Sequence, residues 1–438
     1  MGFTIVVDYC AGRLIETHRK QRKALLLASL VVNIGFLCFF KYYNFLNDTL
    51  TEFLHLAGSK NPIPDLSIIL PIGLSFHTFQ AMSYTIEVYR GHQKAEKHFG
   101  IYALYVMFYP QLVAGPIERP QNVIHQFYKK VDFDYERIVS GLRMMLWGLF
   151  KKVVIADRLS IYVDAVYNNA EHHSGISCAV ATLFFAIQIY CDFSGYSSIA
   201  IGCAKVLGIN LMENFRRPYL ARSIKDFWGR WHISLSTWFR DYLYIPLGGS
   251  RVKIPRHIIN LLIVFMVSGL WHGASWTFVI WGALHGVYQT VELLLDRYVF
   301  KNKKAVLKDG IGIELAKPKV SRRNIGLVFR YLLTFFLVCI AWVFFRAATI
   351  QDAFLVMEKI FTWAPGGLFV GYAAGFVYSI LLIIFLLAAE VNQEFFAEKW
   401  SMLWSPKPAV RMAGYALLLL VMLLIGVFNG GQFIYFQF

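Results

Sequence analysis

The chain has 438 residues, 57% of them hydrophobic and only 16% charged, where an ordinary soluble domain carries about 25% charged residues. That balance, with a mean hydropathy of +0.50, argues against a soluble globular enzyme, since the apolar residues collect in runs such as 24–40, 327–345, 368–389 and 413–428. The net charge of +16 does not call for nucleic acid, because Lys and Arg gather in short segments between those runs, where anionic headgroups account for them.

Crossing a bilayer takes about 20 mostly apolar helical residues. On that criterion membrane segments are expected near 24–46, 66–89, 99–115, 138–156, 176–206, 257–273, 275–295, 326–346, 368–390 and 410–429. The residues ahead of them, 2–16, are too few and too polar at their end to span. Three basic clusters mark loops expected on the cytoplasmic side. They are Arg19, Lys20, Arg22 and Lys23; Arg216, Arg217, Arg222, Lys225 and Arg230; and the Lys-rich loop 301–324. That loop is too short to be a domain, so residues 1–438 are expected to form a single transmembrane domain in the cell membrane.

Two regions are not simple spans. The stretch 207–256 is basic and aromatic, with Trp228, Trp231, Trp238, Tyr242 and Tyr244, which suits the headgroup interface or re-entrant helices. The stretch 257–295 has cytoplasmic-looking loops at both ends, so it must cross an even number of times. A hairpin broken at the Gly-rich segment 269–274 is expected, with His272 inside the protein near the turn.

Polar side chains in membrane segments are expensive and face a cavity or a partner. His272 lies in GLWHGASW between glycines and tryptophans; an imidazole can take a proton from a hydroxyl and return it, or can be satisfied structurally. His232 in GRWHISLSTWFRDYLYIPLGG has Arg230, Arg240 and Asp241 nearby. It reads either as an interfacial histidine or as a second polar group in the same cavity. Asp192 in IYCDFSGYSSIA reads most simply as a helix-terminating residue bonding the Ser-Gly turn. His77, Glu87 and His285 read as polar contacts between helices. The six cysteines show no C-x-x-C spacing, and neither a disulfide framework nor a metal site is expected. H-E-x-x-H, G-x-x-x-x-G-K-[ST], G-x-S-x-G and H-x-x-x-x-D are all missing, which leaves the membrane histidines as catalytic candidates.

At RWHISLSTWFRDYLYIPLGGSR followed by GLWHGASWTFVIWGALHG the sequence resembles the membrane-bound O-acyltransferase (MBOAT) family, in its bacterial alginate O-acetylation branch. ILPIGLSFHTFQAMSYTIEVYRG, FYPQLVAGPIERP, QIYCDFSGYSSIAIG, NFRRPYLARSIKDFWGRWH and the terminal FIYFQF agree, so the likeness runs from about residue 10 to 438. Members of this branch usually begin with additional hydrophobic helices, so by that likeness the chain is expected to start partway through that region.

The resemblance implies an all-α bundle around a central tunnel, with re-entrant or interfacial helices. It implies His272 as the catalytic histidine and His232 as the second signature residue; Arg230, Trp231, Trp271, Asp241 and Asp192, near them or polar within a span, are expected to bind substrate or support the pair. No bound cofactor is expected. The implied donor is a cytoplasmic thioester, most simply acetyl-CoA, and the acyl group would pass outward to a polysaccharide hydroxyl. The implied partners are the lipid bilayer and an extracytoplasmic SGNH-type acetyltransferase or polysaccharide assembly protein, with no nucleic acid. Three other readings stay open: D-alanyl transfer onto teichoic acid, a transporter or flippase, and a scaffold for an extracytoplasmic partner.

Overall fold

Backbone groups in lipid must be satisfied within the segment that carries them, and apolar runs of this length therefore become helices. A computed structural model describes residues 1–112, 115–299, 325–396, 402–403 and 405–428, with no strand among them. The Lys-rich loop 301–324 and the terminal FIYFQF lie outside the described residues.

The helices, in chain order, are α1 (Gly2–Thr17), α2 (Arg22–Leu56), α3 (Leu74–Arg90), α4 (Phe99–Met107), α5 (Tyr135–Phe150), α6 (Asp157–Tyr167) and α7 (Gly175–Val206). Two short helices follow, α8 (Ile224–Trp228) and α9 (Ile233–Phe239). Then come α10 (Ile254–His272), α11 (Trp276–Leu294), α12 (Ile325–Arg346), α13 (Ile350–Phe361), α14 (Ala373–Phe395) and α15 (Pro408–Ile425). Among the described residues seven helices are long and apolar enough to cross a membrane: α2, α7, α10, α11, α12, α14 and α15.

Three expected spans are corrected. In the segment 66–89 the chain stays extended past Pro71 and becomes helical only after Gly73, whose φ is +77°. The resulting α3 is 17 residues long and buried on nearly every side, so it is lined by protein rather than lipid. The segment 99–115 breaks at Phe108, where Pro110 has no N–H to continue the helix. The segment 138–156 belongs to α5 and a π-turn, Lys151–Ala156, whose two lysines are buried. The first span, in turn, is longer than expected, because α2 continues through a π-turn at Cys38–Tyr42 as far as Leu56.

The chain divides into two compact units that interleave in sequence. The first comprises Met1–Leu142, Ala200–Met212 and Gly273–Ser275. Its core is an aromatic cluster of Tyr84, Tyr102 and Tyr105 with Ile5, Ile15, Val88, Val106 and Val123. Beside it Asp8 of α1 accepts hydrogen bonds from Ser29 (2.6 Å) and Asn33 (2.9 Å) of α2. His77 bonds Thr4 at 2.8 Å, the helix-to-helix contact expected of it, and Glu87 is bonded by His92 and Gln121. Glu118, from the PIERP stretch, is fully buried and accepts from Met212 N–H and Asn122. Burial pushes its carboxyl upward.

The second unit comprises Arg143–Ile199, Glu213–His272 and Trp276–Phe438. Its centre is the hairpin of α10 and α11, broken at residues 273–275 as the Gly-rich segment implied. Glycines set how closely the two arms approach. A methyl group on Gly269 would overlap the carbonyl oxygen of Phe278, and one on Gly282 the carbonyl oxygen of Phe265. Overfilling a packed contact costs about 1–3 kcal/mol or more. Gly282→Val should therefore lower the melting temperature in detergent and reduce membrane levels; a variant as stable as wild type would disprove the close approach.

Candidate active site

The site is built on the short helices between α7 and α10. Ser223 caps α8 by accepting the Asp226 N–H at 3.2 Å, and the chain then turns sharply through 229–232 before α9 begins. His232 closes that turn with φ +43° and ψ +54°, a left-handed conformation unusual for a bulky residue. Its side chain is fully buried. His272 is the last residue of α10 and is 3% exposed, beside a Gly273 that is also buried. The Trp271–Gly273 turn therefore faces protein, not lipid.

The two imidazoles, 40 positions apart in sequence, come together with ring centroids 6.5 Å apart and planes at 66°. Aromatic rings wall them in. Trp271 and Trp281 each lie 4.9 Å from His272, and Phe345 lies 5.4 Å away. Phe193 stands edge-on to His232 at 4.5 Å. Trp342 stacks on Trp281 at 5.9 Å and touches Trp231 at 5.1 Å. His285 is set apart from this pair by the bond it accepts from Trp228 Nε1 at 3.2 Å. Because that indole can only donate, the proton of neutral His285 sits on Nε2, and the residue makes a contact between α8 and α11.

The supporting residues take different places. Trp231 and Trp271 are walls of the chamber, buried at 0% and 3% exposure. Arg230 points away into an ion network, 2.7 Å from Asp226 and 3.0 Å from Glu394 of α14, and Arg217 holds the same Glu394 at 2.6 Å. Those carboxylates push the Arg230 guanidinium further up, even though burial opposes it. Asp241 pairs with its neighbour Arg240 at 2.7 Å. Asp192 does not end a helix as expected, since α7 runs on to Val206. It is instead ion-paired to Lys152, which lies 2.7 Å from both Asp192 and Asp157. The Lys-Lys pair inside an apolar run was the sequence signal for this network, because a buried ammonium needs polar partners: carboxylates for Lys152, and the hydroxyls of Ser194 and Ser198 for Lys151. Trp281, Trp342 and Phe345 carried no comparable signal, being three more aromatics in a chain rich in them. Among the described residues no three His, Cys, Asp or Glu side chains gather as metal ligands.

Together these features define a polytopic, all-α membrane protein with a buried histidine pair in an aromatic chamber. Residues 92–308 match the sequence profile of the membrane-bound O-acyltransferase family. The chain belongs to that family and is an O-acyltransferase of the membrane, as the resemblance implied. It is 37% identical over 378 residues to the probable alginate O-acetylase AlgI of Pseudomonas aeruginosa, covering 86% of this chain and 68% of that protein. It is 37% identical over 385 residues to the peptidoglycan O-acetyltransferase of Helicobacter pylori, covering 81% and 68%. With the teichoic acid D-alanyltransferase of Bacillus subtilis it shares 27% identity over 251 residues, 55% of this chain and 62% of that one.

Two predictions follow from the charges. Removing one partner of a buried ion pair costs about 3–5 kcal/mol. Lys152→Met, which strands two carboxylates, should melt well below wild type in detergent, and Asp192→Asn, which leaves Lys152 its Asp157, should cost less; the reverse order would show that Lys152 is not the hub. The second concerns His232, which burial pushes down to about 3. Unfolded, it binds a proton below about pH 6.5, so the unfolded state holds more protons in the interval between and stability falls as the pH drops through it. His232→Asn does not titrate and tolerates the left-handed turn. Its melting temperature should fall less steeply than that of wild type from about pH 6.5 to 4, and parallel slopes would mean that His232 is not held neutral.

Proposed function

We propose that this chain moves an acetyl group from a cytoplasmic thioester, most simply acetyl-CoA, toward a hydroxyl beyond the membrane, on a polysaccharide or a partner acetyltransferase. The observation that carries the reading is the approach of His232 and His272 to 6.5 Å in a buried aromatic chamber. His272 takes the proton of the acceptor hydroxyl, and the oxygen attacks the thioester carbonyl. The C–S bond then breaks, and the imidazolium returns the proton to the leaving thiolate, so the histidine ends neutral and the products are an ester and a thiol. His232, a neutral imidazole, orients the donor or donates a hydrogen bond to the oxygen on which negative charge develops. The aromatic walls exclude water, which would otherwise hydrolyse the thioester.

A narrow, mostly apolar cleft, lined among others by Trp228, Phe239, Phe265 and Ser268, lies one turn of α10 from His272. Arg216, Arg217 and Arg230 already hold carboxylates, so contact with donor phosphates falls to Arg222 and Lys225 of the same basic loop. An acetyl rather than a D-alanyl donor is supported by the higher identity and coverage shared with the acetylating relatives.

The test is turnover of labelled acetyl-CoA by purified protein in lipid nanodiscs. Removing a positioned general base costs about 10²–10⁴-fold, so His272→Ala should lose turnover by that factor while melting within a few degrees of wild type. Full turnover by a well-folded His272→Ala protein would overturn the assignment, and the absence of any acetyl-CoA turnover in wild type would favour the D-alanyl or transport readings.

A further inference from the structure

The left-handed turn at His232 leaves a problem that the sequence around it does not solve. An N-cap residue normally adopts extended backbone and folds its side chain back onto the first free N–H groups of its helix. His232 stands at that position ahead of α9 but makes no side-chain cap, and its backbone is left-handed. The two donors are met instead by a residue 18 positions upstream. Asn214 accepts the Ile233 N–H on its main-chain oxygen at 2.9 Å, and the Ser234 N–H on its side-chain Oδ1 at 3.2 Å. The same Oδ1 accepts the Ser234 hydroxyl at 2.9 Å, and Asn214 Nδ2 donates to Ser197 of α7 at 3.1 Å. Asn214 is 1% exposed and Ser234 fully buried, so these bonds have no water to replace them. Two residues further on, Arg216 N–H donates to Arg230 O at 2.8 Å, which pins the other side of the turn.

We propose that Asn214 is a positioning residue for acyl transfer: it caps α9 in place of His232 and thereby holds the His232 imidazole toward His272. The proposal rests on the catalytic reading of the two histidines given above. Its logic is mechanical: the bonds from Asn214 fix the backbone at the start of α9, and with it the direction in which the His232 side chain leaves the turn. The bond to Ser197 extends the hold to α7, one turn from Phe193, the wall that stands edge-on to His232 at 4.5 Å. Asparagine suits the place because it accepts on one side and donates on the other. Alanine would keep only the main-chain oxygen. Aspartate would keep the acceptor for Ser234, and a negative charge at a helix N-terminus is tolerated.

The experiment measures kcat and the acetyl-CoA KM in nanodiscs for wild type, Asn214→Ala, Asn214→Asp, His232→Ala and the double variant Asn214→Ala with His232→Ala. A displacement of about 1 Å at a reacting group costs up to about 100-fold. Asn214→Ala should therefore lose kcat by about 10- to 100-fold with KM within about twofold, and Asn214→Asp should recover most of it. Because Asn214 acts through His232, adding Asn214→Ala to His232→Ala should lower kcat by no more than about threefold. Wild-type kcat in Asn214→Ala beside a slow His232→Ala would overturn the role of Asn214 and leave the histidine assignment standing. An equal further loss in the double variant would also overturn it, because Asn214 would then act elsewhere. Full turnover in His232→Ala would overturn both together. Should Asn214→Ala not reach the membrane, Asn214→Asp decides, and a kcat as low as that of His232→Ala at normal levels would overturn the proposal.

Discussion

A single backbone conformation organises the second unit: the left-handed turn that delivers His232 to His272. Bulky residues rarely occupy that region and do so at a cost, so the turn must be held from outside. Two segments do this. Residues 214–216 bond the backbone on both sides of it, and Glu394 of α14 ties Arg230, two residues before the turn, to Arg217. Glu394 thus anchors the neighbours of the histidine to the far end of a long apolar helix.

Much of the fold was legible because the bilayer simplifies the reading. Among the described residues seven apolar runs long enough to cross are helices, and the hairpin of α10 and α11 breaks where glycines permit it. The misjudged segments fail for local reasons that hydropathy averages away. Pro71 and Pro110 keep apolar text from forming one continuous helix, and the Lys151–Lys152 pair is accommodated only by polar partners, serine hydroxyls for Lys151 and carboxylates for Lys152. The candidate histidines stood out through their glycine and tryptophan neighbours, and the structure brings the two together. The walls and clamps around them were not legible, because Trp281, Trp342, Phe345, Glu394 and Asn214 acquire their roles only from tertiary proximity. Asp192 shows the same limit: beside a Ser-Gly pair it reads as the end of a helix, and only the ammonium 2.7 Å away explains it.

Two glycine contacts clarify how a polar site is assembled in a setting without a hydrophobic drive between helices. In membranes, helices associate through close packing of small residues. Gly148 of α5 and Gly195 of α7 meet so closely that a methyl group on either would fall 2.6–2.8 Å from the other's carbonyl oxygen. Gly269 and Gly282 face each other across α10 and α11, where a methyl group on either would strike the Phe278 or Phe265 carbonyl oxygen of the opposite arm. The first contact brings Lys151 and Lys152 to the serines and aspartate of α7, and the second brings Trp281 onto His272. Small residues set the spacing, and polar or aromatic side chains a turn away use it.

The distribution of charge follows from the same economy. The ion pairs described near the chamber lie outside it, Lys152 with Asp157 and Asp192, Arg230 with Asp226 and Glu394, and Arg240 with Asp241, while Lys151 is held by the hydroxyls of Ser194 and Ser198 and Glu390 by Tyr190. Inside stand two imidazoles among aromatic rings. An unmatched charge there would draw water into the chamber, because desolvating an isolated ion costs far more than admitting a few molecules. In the reaction proposed above, acyl transfer from sulfur to oxygen would consume no net proton, since the one removed from the hydroxyl would return to the thiolate. A chamber lined by groups neutral before and after that reaction would stay dry through it, with charge only on the imidazole and on the oxygen it activates. The paired ions around the rim hold the helices at their spacing without placing a field of one sign across the reacting atoms.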